Sequence, residues 1–226
     1  MIDFKKIKGV LWDMDGVLAD TNELHNQAMV SALASHQIDF PREVYLKTVG
    51  TNIRNILTVT LGEPPNEDFV QKIVTAQGTS FCKLIKGQLH PLPGILELLA
   101  YFQEHGTAQA IASSSADFVI QAVLDEIGVR EYFGVIVSGS QLSPKPSPEI
   151  FLHTASTLKI PAVNCVVIED SPHGIQGANA AKMQSIAITT SYKRDAFGEA
   201  DMVVDDFAEL FDVLYSPVRE QSLNKS

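Results

Sequence analysis

Apolar residues run along this chain in two rhythms. Short runs at Gly9–Trp12, Thr107–Ala112, Val135–Val137, Cys165–Ile168, Ser185–Ile188 and Met202–Val204 have the length and composition of buried strands. Between them, apolar residues recur three and four apart, the helical spacing, over Ile95–His105, Asp117–Ile127, Pro148–Leu158, Gly174–Lys182 and Phe207–Leu214. Gly106 and Gly128 close two of these helices, and Pro146 and Pro148 favour the start of a third. The polar end, Ser216–Ser226, is expected to fray. Strands alternating with helices predict parallel strands joined by right-handed crossovers. The fold class is therefore α/β, an open Rossmann-like sheet with helices on both faces.

One segment breaks the alternation. Residues 19–91 read as wholly helical: Asn22–His36, a helix entered at Phe40-Pro41, another around Ile53, Ile56 and Leu57, and a long one from Phe69 to about Ile85. Gly50 and the loop over 62–66 separate them, and Pro91-Leu92-Pro93-Gly94 closes the block. The expected organisation is a core of 1–18 and 92–226, with an all-α insert, 19–91, directly after the first strand.

The first strand ends in two acids, Asp13 and Asp15. Residues two apart share a face if strand geometry persists, and Gly16 lets the chain turn away afterwards. Two like charges this close repel unless a cation or a shared proton intervenes. A divalent metal would resolve the conflict and recruit phosphate oxygens; the other reading is that both acids cap a turn. A calcium-binding helix–loop–helix is a poor fit, because the position of its closing Glu holds Leu24.

In open α/β sheets, ligands bind beyond the carboxyl ends of the strands. Four ends carry polar groups here: Asp13 and Asp15, Ser113–Ser115, Ser138–Ser140 with Lys145 beyond, and Glu169-Asp170-Ser171. Singly, each has a plain structural reading. One of the three serines is expected to cap the next helix, Lys145 suits a solvated loop, and the acids suit a helix start. Their convergence on one sheet edge favours a site.

Composition narrows the function. Lys plus Arg number 17 against 27 Asp plus Glu, a net charge of −10. This argues against broad nucleic-acid binding, so an anionic substrate must be held by local cations or a metal. Cys82 and Cys165 lie far apart, with no disulfide or zinc pattern, as in a reducing compartment. Met1–Lys8 lacks a signal-peptide apolar region, and no stretch approaches a membrane span. The expectation is a cytoplasmic chain, a monomer by default, with neither membrane nor nucleic-acid partners.

The motifs Asp-x-Asp-Gly-Val-Leu-x-Asp-Thr (13–21), Ile111-Ala112-Ser113, Ser143-Pro144-Lys145-Pro146-Ser147-Pro148 and Val167-Ile168-Glu169-Asp170-Ser171-Pro172-His173-Gly174 resemble those of the haloacid dehalogenase superfamily of phosphotransferases. Glu-Asp-Ser-x-x-Gly and the early helical insert are similar to its β-phosphoglucomutase-like branch, which contains many sugar-phosphate phosphatases. The resemblance implies Asp13 as nucleophile, and Asp15 as general acid and then base. It implies a Mg²⁺ site drawn from Asp13, Asp15, Glu169 and Asp170, with Glu169 as a ligand or beside the ligands. Ser113, Ser114 and Lys145 would hold the phosphoryl group. The insert would be a cap.

His25 matches a cap-hinge histidine of the mutase branch, or simply lies on a helix surface. Thr51, Asn52 and Arg54 occupy the region of the branch's substrate-specificity loop; Arg54 would bind a second anionic group or stay solvated. The mutase's loop arginine is here Ile53, which weakens that reading, and Ala181-Lys182-Met183 replaces a common Ala-Gly-Met. Asp15 suits an ester leaving group rather than a halide, and Lys47 is a poor candidate for the lysine of phosphonatase chemistry. Three functions stay open: a Mg²⁺-dependent phosphatase of a small phosphorylated metabolite such as a sugar phosphate, a hexose-phosphate mutase, and a non-catalytic binding module. The last is disfavoured because no catalytic position is substituted.

Overall fold

A computed structural model describes residues 2–223, with side chains as far as Tyr215. Among these, six strands form one parallel sheet: β1 (Gly9–Trp12), β2 (Ala108–Ser113), β3 (Val135–Ser138), β4 (Cys165–Glu169), β5 (Gln184–Ile188) and β6 (Met202–Val204), in the order β3-β2-β1-β4-β5-β6. The chain winds outward from β1 in both directions, so the switch point lies at the carboxyl end of β1, where such sheets bind ligands. In register, Trp12 lies beside Ile111 on one side and Ile168 on the other.

Four helices follow β1: α1 (Asn22–Ala34), α2 (Arg42–Thr48), α3 (Ile53–Leu61) and α4 (Glu67–Leu84). They share a small core of their own, including Met29, Leu33, Leu57 and Ile73. Asn52 and Asn66 cap α3 and α4, their side-chain oxygens accepting from Asn55 N at 3.0 Å and Phe69 N at 2.9 Å. The chain leaves and rejoins the sheet at adjoining points: Ala19 bridges Pro91, and Leu92 N donates to Leu18 O at 2.8 Å.

Five more helices, α5 (Ile95–Glu104), α6 (Asp117–Glu126), α7 (Glu149–Leu158), α8 (Pro172–Ala180) and α9 (Phe207–Leu223), cover the sheet. Strand alternation divides them. Val10 and Trp12 pack with Leu98, Phe102, Ile120 and Phe207, whereas Leu11 packs on the opposite face with Phe151, Val167 and Ala178. The buried Trp12 indole donates to Gln109 at 3.1 Å, and the Gln109 amide donates to Leu99 O at 2.9 Å, so this polar pair is satisfied inside the core.

Two expectations change. The helix read as ending at Leu214 runs on to Leu223, where Arg219, Glu220 and Gln221 are good helix formers; the end at 224–226 lies outside the described residues. Strand geometry also stops at Trp12. Met14 O accepts from Val17 N (3.2 Å) and Leu18 N (2.9 Å), and Gly16 adopts φ +75°. A tight turn, not a continuing strand, therefore carries Asp15. Among the described residues, no helix is long and apolar enough to cross a membrane.

Candidate active site

Asp13 is the first residue beyond β1, and its N–H donates to Ile168 O at 2.9 Å. Its Oδ1 lies 2.5 Å from Lys145 Nζ. The same ammonium lies 2.6 Å from Glu169 Oε1 and donates to Ala112 O at 3.3 Å. Lys145 is thus a buried cation held by two acids, not a solvated loop charge.

Glu169 Oε2 accepts from Asp170 N, Ser171 N and Ser171 Oγ, each at 2.9 Å. Ser171 also caps α8, accepting from Gly174 N at 3.1 Å, with Pro172 in the first turn. The glycine of this motif has a steric cause: a Cβ on Gly174 would stand 1.9 Å from Glu169 Cδ.

Asp15 is held by three donors. Thr21 Oγ1 lies 2.6 Å and His25 Nε2 2.9 Å from its Oδ1, and Ser115 Oγ donates to its Oδ2 at 2.9 Å. Thr21 stands at the N-cap position of α1, yet spends its hydroxyl on Asp15. The His25 ring stacks on Phe81 at 3.8 Å, and Gln77 Nε2 lies 2.9 Å from its Nδ1. Burial works to raise the Asp15 carboxyl, but the charge and hydrogen bond of His25, with Thr21 and Ser115, hold it below the usual range.

The serine run corrects an expectation. None of the three serines caps α6, whose N-cap is Ala116 without a side-chain bond. Ser115 goes to Asp15, Ser114 Oγ donates to Gly50 O at 3.1 Å, and the buried Ser113 Oγ accepts from Ser115 N at 3.2 Å. The site takes the Ser115 hydroxyl and the helical block that of Ser114.

One cavity between sheet edge and helical block joins most of the expected residues. Asp13, Asp15 and Ser114 line it from the sheet side, and His25, Thr51 and Arg54 from the insert. Lys145, Glu169 and Asp170 lie buried about Asp13, outside the lining. Asn52 does not line the cavity: besides capping α3, it donates to Leu142 O at 3.2 Å. Arg54 is ion-paired with Glu67 on α4. Sequence reasoning gave no role to Ser115, Gln77, Tyr45 or Ser191. Ser115 had a signal in the hydroxyl run; the others contact the site only through tertiary packing.

Residues 10–188 match the family model described as haloacid dehalogenase-like hydrolase. The chain belongs to this family. It is 28% identical over 211 residues to hexitol phosphatase B of Escherichia coli K12, covering 91% of this chain and 95% of the relative. A crystal structure of a CbbY variant from Rhodobacter sphaeroides with xylulose-(1,5)-bisphosphate matches at a TM-score of 0.82, with 29% identity over 90% of this chain and 96% of that one. β-Phosphoglucomutase from Clostridium difficile matches at 0.82, with 26% identity over 96% and 99%.

The donor set of this haloacid dehalogenase-like chain fits a divalent cation. Three carboxylates, Asp13, Glu169 and Asp170, are buried here with one ammonium, which pairs with the first two. Burial pushes the Asp13 carboxyl up to about 7; Lys145 pulls it down, while Glu169 and Asp15 add to the rise. Burial, then Glu169 and Asp13, raise Asp170 well above the usual carboxylate range. Burial opposes the Lys145 charge, but Asp13 and Glu169 hold its ammonium above the usual range. A cation beside Asp13 and Asp170 would offset this excess negative charge.

Among the described residues, no three His, Cys, Asp or Glu side chains form a ready-made cage. Mg²⁺ is commonly bound through one or two carboxylates, with other oxygens completing its shell. Both Glu169 oxygens are engaged, Oε1 by Lys145 and Oε2 by the turn after β4, which of the two expected places favours the one beside the ligands. The Asp15 carboxylate is likewise committed, which leaves its main-chain carbonyl as the ligand atom it would offer.

Proposed function

We propose that this chain is a Mg²⁺-dependent phosphatase that hydrolyses a small phosphorylated metabolite, a sugar monophosphate, through an aspartyl-phosphate on Asp13. One observation carries the reading: Asp13, which lines the cavity together with Asp15, pairs through Oδ1 with the buried Lys145 at 2.5 Å. Asp13 would attack phosphorus, and the ester oxygen would leave with a proton from Asp15. Asp15 would then take a proton from water, which attacks the same phosphorus, releasing inorganic phosphate and restoring Asp13. The donors around Asp15 favour its ionised form at rest. An arriving phosphoryl dianion raises its proton affinity and readies it as the acid.

Lys145 would offset charge shared by Asp13 and the phosphoryl group, and Ser113 would offer its hydroxyl at the same edge; Ser114 would do so only by releasing Gly50 O. Asp13, Asp170 and the Asp15 carbonyl would hold Mg²⁺, which would supply further positive charge to the phosphoryl oxygens. We read residues 19–91 as a cap that closes over the cavity and excludes water from the first transfer. Contacts from Ser114 to Gly50, Asn52 to Leu142 and Tyr192 to Leu46 support a closed arrangement.

The similarity to hexitol phosphatase B supports a phosphorylated polyol or sugar as substrate. The mutase reading is favoured by the likeness to β-phosphoglucomutase, but it requires a grip on a second phosphate. Among the described residues, Arg54 is the one Lys or Arg lining the cavity, and Glu67 already engages it. A screen of hexose, hexitol and pentose phosphates tests the proposal. Steady phosphate release supports the phosphatase; interconversion of β-glucose 1-phosphate and glucose 6-phosphate without net release supports the mutase instead.

A further inference from the structure

The turn after β5 ties the helical block to the carboxylate cluster. Tyr45 on α2 donates to Asn22 O at 2.5 Å and to Asn22 Oδ1 at 3.1 Å. The Asn22 amide, in the first turn of α1, donates to Ser191 Oγ at 2.6 Å, and the Ser191 hydroxyl donates to Asp170 Oδ2. The neighbours of Ser191 hold the same turn in place: Thr190 donates to Gly16 O, and Tyr192 donates to Leu46 O at 3.1 Å.

All donors in this chain run one way, from amide to hydroxyl to carboxylate. Hydrogen bonds aligned in this way polarise one another. Asp170 Oδ2 also abuts the first acidic motif, since a Cβ on Gly16 would stand 1.9 Å from it and 3.0 Å from Ser191 Oγ. The oxygen is therefore boxed between Gly16 and the Ser191 hydroxyl.

We propose that Ser191 is a positioning residue for Asp170: its hydroxyl, oriented by Asn22 of the helical block, fixes the carboxylate that would hold the divalent cation. The proposal rests on the Mg²⁺ reading above. Ligands to metals are commonly oriented by such outer partners, and losing one typically costs about 10- to 100-fold in metal affinity or activity. Because Asn22 and Tyr45 belong to the helical block, its docking and the cation site are coupled, and the site is best ordered when the block is seated. Neither the family motifs nor the cavity lining includes Ser191.

The experiment is calorimetric titration of Mg²⁺ alone into the full-length wild type and the Ser191→Ala, Ser191→Thr and Asn22→Ala variants, with thermal unfolding of each in chelator. Ser191→Ala is expected to weaken Mg²⁺ binding at least about 10-fold, while Ser191→Thr, which keeps the hydroxyl, stays within about threefold of wild type. Asn22→Ala falls between them. The Ser191→Ala unfolding midpoint in chelator should stay within about 2 °C of wild type, which separates positioning from a general loss of structure. Ser191→Ala binding Mg²⁺ as tightly as wild type overturns the positioning role and leaves the metal reading standing. A wild type with no saturable Mg²⁺ binding overturns the metal reading, and this proposal with it.

Discussion

Ser115 Oγ donates a 2.9 Å hydrogen bond to Asp15 Oδ2, joining residues 100 positions apart. The bond spans the ends of β1 and β2, and with Thr21 and His25 it fixes the Asp15 carboxylate from three sides. Asp15 is therefore oriented before any substrate arrives. Ser115→Ala is expected to lower kcat about 10-fold or more while leaving KM within a few-fold, because it loosens the proposed proton carrier rather than the phosphate grip. Steady-state kinetics decide it; a change confined to KM would contradict the role.

Asp13→Asn removes the proposed nucleophile but leaves Lys145 its partner Glu169, 2.6 Å away. The variant should fold, by circular dichroism and thermal unfolding, and lose at least about a thousandfold in phosphate release. Retained turnover would exclude Asp13 as nucleophile.

Lys145→Met strands Asp13 and Glu169 as buried acids without their ammonium. Breaking one side of a buried ion pair typically costs about 3–5 kcal/mol, so this variant should unfold well below the wild type as well as lose activity. Differential scanning calorimetry at neutral pH measures the loss, and an unchanged midpoint would show that the pair is dispensable.

Gly50 docks the helical block against the end of β4. It sits at φ +82°, and a Cβ there would stand 2.6 Å from Ser171 Oγ and 2.9 Å from Ser171 Cβ. Ser171 cannot yield easily, because it caps α8 and bonds to Glu169. Gly50→Ala should therefore cost about 1–3 kcal/mol of strain or leave the block incompletely seated. The readout is kcat/KM on the best ester from the substrate screen, expected to drop about 10-fold or more, and unaltered kinetics would mean that closure does not depend on this contact.

Chelator should stop phosphate release, and added Mg²⁺ should restore it. The physical ground is the excess of buried carboxylates over ammonium around Asp13. Full turnover in chelator would remove the metal from the mechanism.

The alternating runs that became β1 to β6, and the helical spacing between them, were legible because burial on both faces of a parallel sheet demands apolar strands. The positions of Asp13, Ser113, Lys145 and Asp170 at one edge followed from that order, since each ends a strand, directly follows one or lies in the loop beyond one. Less was legible inside the insert. Asn52 had the look of a cavity residue but caps α3 instead, because an Asn at a helix start finds a nearer partner in the backbone. One of the three serines after β2 was expected to cap α6, yet Asp15 takes the Ser115 hydroxyl and Gly50 that of Ser114.

What the chain carries by itself is periodicity and local chemistry: which segments are strands or helices, where the sheet edge lies, and which acids and lysine gather there. What tertiary structure decided is who holds whom. Glu169 turns to Lys145, His25 stacks on Phe81 beside Asp15, and Ser191 reaches Asp170 only because separate loops meet above the sheet. Hydrogen bonds depend on distances held to within a few tenths of an ångström between residues far apart in sequence, and no periodicity encodes those distances.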